Sequence, residues 1–198
     1  MRPRILVIGA GMVGSTSAAS IASRRLGTVY LHDVVEDLAL GRAMALNQAL
    51  PSSSSDSRVV GCNTLAEAGR ADIVVITAGM ARTAGMSRLD LLRSNAAVIS
   101  SLAPVLYDQC PDAQVLLVTN PVDVLTWHLK SLCPSMHVAG LGCSLDMIRL
   151  RYLIAQAAGV SADSVGAMVI GTHDDNMVPL VNRRSEERRV GKECRSRW

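Results

Sequence analysis

The chain has 198 residues, of which 49% are hydrophobic, 19% charged and 3% aromatic, and its formal net charge is +3. This length suits one ordinary domain, or one domain and part of a second. The apolar fraction excludes a disordered or collagen-like chain. No apolar run reaches the roughly 18 residues of a membrane-spanning helix, so we expect no membrane partner.

The excess positive charge lies entirely in residues 184–198, which hold six basic and three acidic side chains. Residues 1–183 therefore carry no net charge, and their composition predicts no nucleic-acid partner. The tail matches, residue for residue, the translation of a common sequencing-library adapter. We interpret it as an adapter artefact and not a domain; the alternative is a basic extension that binds phosphates or acidic surfaces. On the first interpretation the reading frame was cut after about Arg183, and we expect the 198-residue chain to be poorly stable and nearly inactive.

The cysteines of the body indicate a reducing compartment. Cys62, Cys110, Cys133 and Cys143 include no CxxC pair and no Cys/His cluster with zinc-ligand spacing. A disulfide framework is not expected in a chain of this length. We therefore predict a cytoplasmic protein without a metal site.

A glycine-rich loop follows the first predicted strand, residues 4–8. Gly9-Ala10-Gly11-Met12-Val13-Gly14 comes directly after it, and the small residues 15–23 predict a helix. A GxGxxG pattern between a strand and a helix is typical of dinucleotide-binding loops. Gly9 permits the tight turn, Gly11 lets a pyrophosphate approach the backbone, and Gly14 allows close helix–strand packing.

The second predicted strand, residues 28–32, ends in Asp33, which lies 19 residues after Gly14. A carboxylate at this position accepts hydrogen bonds from a ribose 2′-OH and repels a 2′-phosphate, which favours NAD over NADP. The alternative is a surface aspartate at the end of a strand.

Strand and helix signals alternate through the following residues. Continuous apolar strands separated by helices predict a doubly wound parallel sheet, an α/β fold. The predicted elements are a helix over 34–49, a polar loop over 51–57, strands over 58–62 and 72–77, a helix over 89–110, a strand over 114–119, a helix over 122–132 and a strand over 137–141. Rival nucleotide folds lack their markers, since no Walker A lysine and no Tyr-x-x-x-Lys pair occurs.

The segment after the strand over 72–77 has the character of a mobile lid. Residues 78–88, called the lid loop below, contain two glycines and two arginines, Arg82 and Arg88. The loop lies at the carboxyl end of a strand, where open α/β sheets bind ligands. Further polar motifs are Asn95, Asn120-Pro121-Val122-Asp123, Leu145-Asp146-Met147-Ile148-Arg149, Gly171-Thr172-His173-Asp174-Asp175 and Val178-Pro179-Leu180.

In this order the motifs resemble those of the malate/lactate dehydrogenase family, and within it the malate branch built on the lactate-dehydrogenase-like scaffold. The resemblance covers essentially all of residues 4–182. It implies a Rossmann NAD-binding domain over residues 1–142, followed by the truncated start of an α+β substrate domain over 143–183. The implied reaction is reversible hydride transfer between malate or oxaloacetate and NAD(H).

The resemblance also implies a role for each motif residue. His173 is the general acid/base, and Asp146 hydrogen-bonds its imidazole and stabilises the protonated form. Arg149 grips the substrate carboxylate, Arg88 polarises the carbonyl, and Asn120 hydrogen-bonds substrate or cofactor. The implied cofactor contacts are Gly9, Gly11, Met12, Val13, Gly14, Asp33, Thr77, Ala78, Gly79, Asn95 and Asn120.

Arg82 is the residue expected to select the substrate. The malate branch places arginine at this lid position, whereas lactate enzymes place an uncharged glutamine. Arginine can neutralise a second carboxylate, and pyruvate would leave it unpaired in a closed site. We therefore expect a small dicarboxylate, malate or oxaloacetate, as substrate.

Two departures from the family pattern stand out. Asp174 replaces the glycine that usually follows the catalytic histidine, and its carboxylate either raises the imidazole pKa or points away from it. Ala84 replaces a common lid proline. The alternatives left open are a lactate or other 2-hydroxyacid dehydrogenase and a non-catalytic nucleotide-binding fragment. The resemblance implies a homodimer or homotetramer for the full-length protein.

Overall fold

The computed structural model describes residues 2–53 and 55–180, which divide into two compact units between Gly140 and Leu141. The first unit alternates strands with helices. Its elements are β1 (Arg4–Ile8), α1 (Met12–Ser23), β2 (Thr28–His32), α2 (Leu38–Ala49), β3 (Val59–Cys62), α3 (Leu65–Ala68), β4 (Ile73–Ile76), α4 (Arg88–Gln109), β5 (Gln114–Leu117), α5 (Val122–Leu132) and β6 (His137–Gly140).

The six strands form one parallel sheet in the order β3-β2-β1-β4-β5-β6. The predicted doubly wound sheet is therefore confirmed. The chain order reverses between β1 and β4, where Ile8 pairs with Ile76. Because the connections after these two strands leave in opposite directions, a crevice opens beyond their carboxyl ends. Gly9 and Thr77 are the first residues beyond the strands on either side of it.

Side chains of β1 alternate between two apolar layers, as the pleat of a strand requires. Leu6 and Ile8 join a buried cluster with residues of α4 and α5. Ile5 and Val7 face the opposite side, where they pack with residues of α1 and α2. These two helices contribute small buried side chains, which let their backbones approach the sheet closely: Ala18, Ala22, Ala39 and Ala43.

Helix α4 is long and apolar enough to cross a membrane by length and composition, although it contains no unbroken apolar run of that length. Among the described residues it is the one helix that meets this test. Its buried stripe includes Ile99, Leu102 and Leu106, which pack in the same cluster as β4 and β5. The helix is therefore a core element of the first unit.

Helix α2 begins four residues later than the sequence predicts. Asp37 has a left-handed backbone with φ of 61°, and the N–H of Val35 donates to Asp33 Oδ1 at 3.0 Å. Both features belong to a turn, so the helix starts only at Leu38. Helix α3 was missed, although Thr64 and Glu67 form a recognisable N-terminal capping pair.

The described part of the second unit consists of α6 (Ser144–Ala158), a single 3-10 turn (Ala162–Ser164) and a short antiparallel strand pair. The two strands of the pair are β7 (Val169–Ile170) and β8 (Val178–Pro179). The buried apolar side chains of this part of the chain are Cys143, Ala155 and Val165. The predicted adapter-derived tail, residues 184–198, lies outside the described residues.

Candidate active site

The loop between β1 and α1 is shaped by two glycines. Gly9 has φ of +106°, a conformation that side chains disfavour. A Cβ on Gly14 would lie 1.8 Å from the Gly9 carbonyl oxygen, so α1 can approach the loop only because residue 14 has no side chain. Thr77 supports the turn from β4, since its Oγ1 lies 3.1 Å from the carbonyl oxygens of both Ile8 and Gly9.

Gly11 faces open space and not packed protein. No heavy atom lies within 4 Å of the position that a Cβ on Gly11 would occupy. The first turn of α1 follows at Met12 and holds no acidic side chain, so its N–H groups and positive dipole end are not neutralised locally. This combination of space and exposed N–H groups fits a pyrophosphate, as the predicted contacts at Gly11, Met12 and Val13 require.

Asp33 links the end of β2 to the glycine loop. Its Oδ2 accepts the N–H of Ala10 at 2.6 Å, and its Oδ1 accepts the N–H of Val35 at 3.0 Å. A carboxylate has about four acceptor positions, so two remain for ribose hydroxyls. The side chain therefore fits a ribose and also fixes the loop that holds the phosphates.

The loops after β4 and β5 are tied together by a threonine that the sequence analysis did not single out. Thr119 Oγ1 donates to the Ala78 carbonyl at 2.7 Å. A Cβ on Gly79 would lie 2.4 Å from Thr119 Cγ2, so only glycine fits beside it. The loop after β4, which holds the predicted cofactor contacts Thr77, Ala78 and Gly79, is thus held by the segment after β5. Polar side chains at the ends of adjacent parallel strands are the signal that could have found Thr119.

The lid loop is fixed at its distal end by a capping box. Ser87 Oγ accepts the N–H of Asp90 at 3.1 Å, and Asp90 Oδ2 accepts the Ser87 N–H at 3.2 Å. Hydrogen bonds from the Ser87 hydroxyl and backbone hold the pKa of Asp90 below its usual range. Arg88 is the first residue of α4, directly after this cap. The Ser-x-x-Asp pattern before an apolar run is the sequence signal of this cap.

The predicted substrate residues of the first unit are Arg82 in the lid loop, Arg88 at the start of α4 and Asn120 after β5. Arg82 is exposed in the lid loop, and its Nε donates to the Met86 carbonyl at 3.1 Å. Asn120 follows β5, and its carbonyl accepts a hydrogen bond from Asn95. Asn95 itself is buried in α4, with 1% of its surface exposed.

In the second unit, His173 and Asp146 form a tight pair. His173 Nδ1 lies 2.6 Å from Asp146 Oδ2, and the two side chains are 21% and 11% exposed. Arg149, one turn further along α6, reaches Asp146 Oδ1 at 3.6 Å. A carboxylate only accepts, so Nδ1 donates in this arrangement, and proton exchange with a ligand would run through Nε2. The structure thus brings together the three residues that the motifs predict for this unit.

Asp174 is engaged by its own turn. Its Oδ1 accepts the hydroxyl of Thr172 at 2.8 Å and the N–H of Asn176 at 2.7 Å. Cys143 Sγ lies 3.2 Å from the Gly171 carbonyl, two residues before His173. The turn that carries His173 is therefore held by its own side chains and by Cys143, and neither contact is visible in the motif.

Comparison with known proteins places these features in one family. Residues 3–138 match the model of the lactate/malate dehydrogenase NAD-binding domain, and residues 143–192 match that of the lactate/malate dehydrogenase alpha/beta C-terminal domain. The chain is 42% identical over 186 residues to the malate dehydrogenase of Roseiflexus castenholzii and 38% identical over 181 residues to that of Heliobacterium modesticaldum. These alignments cover 91% and 90% of this chain, and the chain spans 59% of the length of each relative.

Solved structures of malate and lactate dehydrogenases are also similar to this chain. Malate dehydrogenase of Cryptosporidium parvum superposes with a TM-score of 0.87 at 33% identity, covering 98% of this chain and 64% of that one. Lactate dehydrogenase of the same organism, complexed with lactic acid and nicotinamide adenine dinucleotide, gives 0.87 at 35% identity, covering 93% and 59%. With its 321456 sheet and both matching domains, the chain belongs to the lactate/malate dehydrogenase family and contains that family's NAD-binding domain.

Proposed function

We propose that this chain carries the NAD-binding domain and the acid–base pair of a malate dehydrogenase, which transfers hydride reversibly between malate or oxaloacetate and NAD(H). The observation that carries the proposal is the 2.6 Å contact between His173 and Asp146. A histidine whose second nitrogen is held by a carboxylate is equipped to accept and return one proton.

The chemistry that NAD supplies when bound is acceptance of the hydride from the substrate carbon. His173 takes the hydroxyl proton as that hydride leaves, and Asp146 stabilises the resulting imidazolium. In the reverse direction the imidazolium returns the proton to the carbonyl oxygen. Asp33 selects a cofactor without a 2′-phosphate, because its carboxylate would repel one.

Arginines provide the recognition of the acid groups. Arg149 binds the substrate carboxylate beside the carbonyl, which a planar guanidinium can do with two hydrogen bonds. Arg88 stabilises charge that develops on the carbonyl oxygen, with Asn120 as a further hydrogen-bond partner. Arg82 pairs with the second carboxylate of a dicarboxylate, which pyruvate lacks. Action in the cytoplasm as a homodimer or homotetramer belongs to the same proposal.

A lactate or other 2-hydroxyacid dehydrogenase is the second candidate. It is favoured by the likeness to lactate dehydrogenase structures, whose TM-scores reach those of the malate enzymes. Arg82 separates the two candidates, since an unpaired arginine in a closed site disfavours pyruvate. A non-catalytic nucleotide-binding remnant is the third candidate, and it predicts NADH binding without turnover.

The test begins with the gene, by sequencing the source DNA through and beyond codon 183. The encoded protein is then assayed for NADH oxidation with oxaloacetate and with pyruvate. We expect oxaloacetate to be preferred and the Arg82→Gln variant to lose about 100-fold or more of that preference. Arg93→Gln, an exposed arginine on α4, is the matched control and should leave the preference unchanged.

Three results would contradict the proposal. A preference for pyruvate in the unaltered protein would favour a lactate or other 2-hydroxyacid dehydrogenase. Turnover that survives Asp146→Asn undiminished would remove the role of the acid–base pair, for which we expect a loss of about 100-fold or more. A gene that ends after residue 198, with NADH binding but no turnover, would favour the nucleotide-binding remnant.

A further inference from the structure

Asn95 occupies a position where the pattern of its helix calls for an apolar side chain. It precedes Ile99, Leu102 and Leu106 on the buried stripe of α4 and is itself 1% exposed. A buried amide costs free energy unless its donors and acceptor are all engaged. The partners of Asn95 therefore indicate why an amide stands there.

All of those partners are backbone groups of two loops. Asn95 Oδ1 accepts the N–H of Met80 at 2.7 Å, and Nδ2 donates to the Met80 carbonyl at 3.2 Å and the Asn120 carbonyl at 2.7 Å. The amide orientation follows from this chemistry, because an N–H needs the oxygen and two carbonyls need the nitrogen. Both amide protons are thereby used within the protein.

These bonds fix the start of the lid loop. Met80 lies two residues before Arg82 and is held through both its N–H and its carbonyl, as a residue in a strand would be. The same side chain reaches the carbonyl of Asn120, so one amide joins the loops after β4 and β5. The distal end of the lid loop is held separately by Ser87 and Asp90. The segment able to move is therefore bounded by residues 81 and 86.

We propose that Asn95 is a positioning residue, a clasp that sets the lid arginine Arg82 and the Asn120 loop relative to each other, and not a direct cofactor contact. Its contribution to turnover rests on the proposed dehydrogenase function. Its contribution to the lid loop is independent of that function and can be measured on the 198-residue chain.

The first unit offers a matched control with the same chemistry. Asn47 Nδ2 donates to the Val59 carbonyl at 2.7 Å, and Asn47 Oδ1 accepts the Val59 N–H at 2.9 Å. This clasp holds the start of β3 beside Arg58. Trypsin can cleave after Arg82, in the segment that Asn95 holds, and after Arg58, in the segment that Asn47 holds. One digest therefore measures the local opening of both segments.

The experiment is limited trypsin digestion of the native chain, with each cleaved bond quantified by mass spectrometry. Under these conditions the rate follows the population of the locally opened segment. We expect Asn95→Ala to accelerate Arg82–Thr83 cleavage about tenfold relative to Arg58–Val59 cleavage, and Asn47→Ala to change the ratio in the opposite direction. Equal ratios in the two variants would overturn the proposal.

A second variant covers the case in which Asn95→Ala does not fold. Asn95→Asp keeps the acceptor for the Met80 N–H but faces two carbonyls with a carboxylate, and it should also raise the cleavage ratio. A ratio unchanged in Asn95→Asp, together with weakened NADH binding, would identify Asn95 as a direct cofactor contact and overturn the clasp.

The kinetic arm separates a positioning role from a merely structural one. With oxaloacetate, Asn95→Asp should lower kcat about tenfold while the NADH dissociation constant stays within about twofold, and Asn47→Ala should change neither. A proportionate loss in both asparagine variants would overturn the positioning role. These kinetics use the protein encoded by the full gene, because the 198-residue chain is expected to be nearly inactive. If the protein encoded by the full gene shows no turnover, the proposed function fails, while the digestion still decides whether Asn95 holds the lid loop.

Discussion

The two units of the chain place their apolar side chains differently. In the first unit both faces of the sheet are covered by helices, and two buried clusters account for most of the interior. In the described part of the second unit, α6 leaves Ile148, Tyr152 and Leu153 more than half exposed. Yet the second unit holds a close polar pair of the candidate site, His173 with Asp146 at 2.6 Å.

This difference shows that the candidate site residues of the two units are positioned in different ways. The geometry around Gly9 and Gly14 depends on the packing of α1 against the sheet, whereas Asp146 and Arg149 are placed by one helix alone. His173 is placed by a turn with its own side-chain bonds. Among the described residues, the His173–Asp146 pair is therefore held by a helix and a turn, whereas the glycine loop depends on the packing of α1 against the sheet.

The largest effect expected from this contrast concerns core packing. Ile76→Ala should lower the free energy of unfolding by about 2–5 kcal/mol, because the side chain is fully buried in the first unit. Leu153→Ala is the matched control in α6, where 62% exposure predicts a change within about 0.5 kcal/mol. Urea denaturation followed by circular dichroism measures both. Similar losses would show that the second unit relies on packing as much as the first.

A glycine pair tests the packing of the cradle with a smaller effect. Gly14→Ala should destabilise the chain by roughly 1–3 kcal/mol and weaken NADH binding, since the new Cβ would meet the Gly9 carbonyl. Gly41→Ala, in α2, has nothing within 4 Å of its Cβ position and should stabilise by about 0.5–1 kcal/mol. NADH fluorescence titration and urea denaturation give the two readouts. Unimpaired NADH binding in Gly14→Ala would contradict the close approach.

Thiol reactivity sharpens the comparison with the smallest effect. Burial raises the pKa of Cys133, on the core side of the first unit, and Cys143 lies in the second unit. We expect Cys143 to be alkylated about tenfold faster, because a smaller apolar core opens more readily. Peptide mass mapping after timed labelling, in a Cys194→Ser background, measures the ratio.

The raised pKa of Cys133 predicts the direction in which stability changes with pH. Since the folded pKa of Cys133 exceeds its ordinary value, its contribution to stability is complete below the unfolded pKa and is lost as pH rises through the folded one. Alkaline pH, above about 8.5, should therefore weaken the first unit and speed the labelling of Cys133. A labelling rate for Cys133 equal to that of Cys143 at pH 7 would contradict the expectation that the second unit opens more readily than the first.

Much of the fold could be predicted because its signals are local. The strands over 4–8 and 28–32 have the bounds found in the structure, and the helix over 122–132 does too. The errors lie at ends and short elements. The turn at Asp37 depends on a left-handed residue that periodicity does not reveal, and α3 is a single capped turn.

The sequence by itself determined the sheet class, the glycine loop and the family, because β-branched runs, glycine spacing and ordered motifs are properties of neighbouring residues. The tertiary structure alone decided what Asn95 and Thr119 touch. Asn95 reaches Met80 and Asn120 across 15 and 25 residues. Such contacts exist only because β4 and β5 are adjacent in the sheet, and strand order is fixed by the packing of the whole domain.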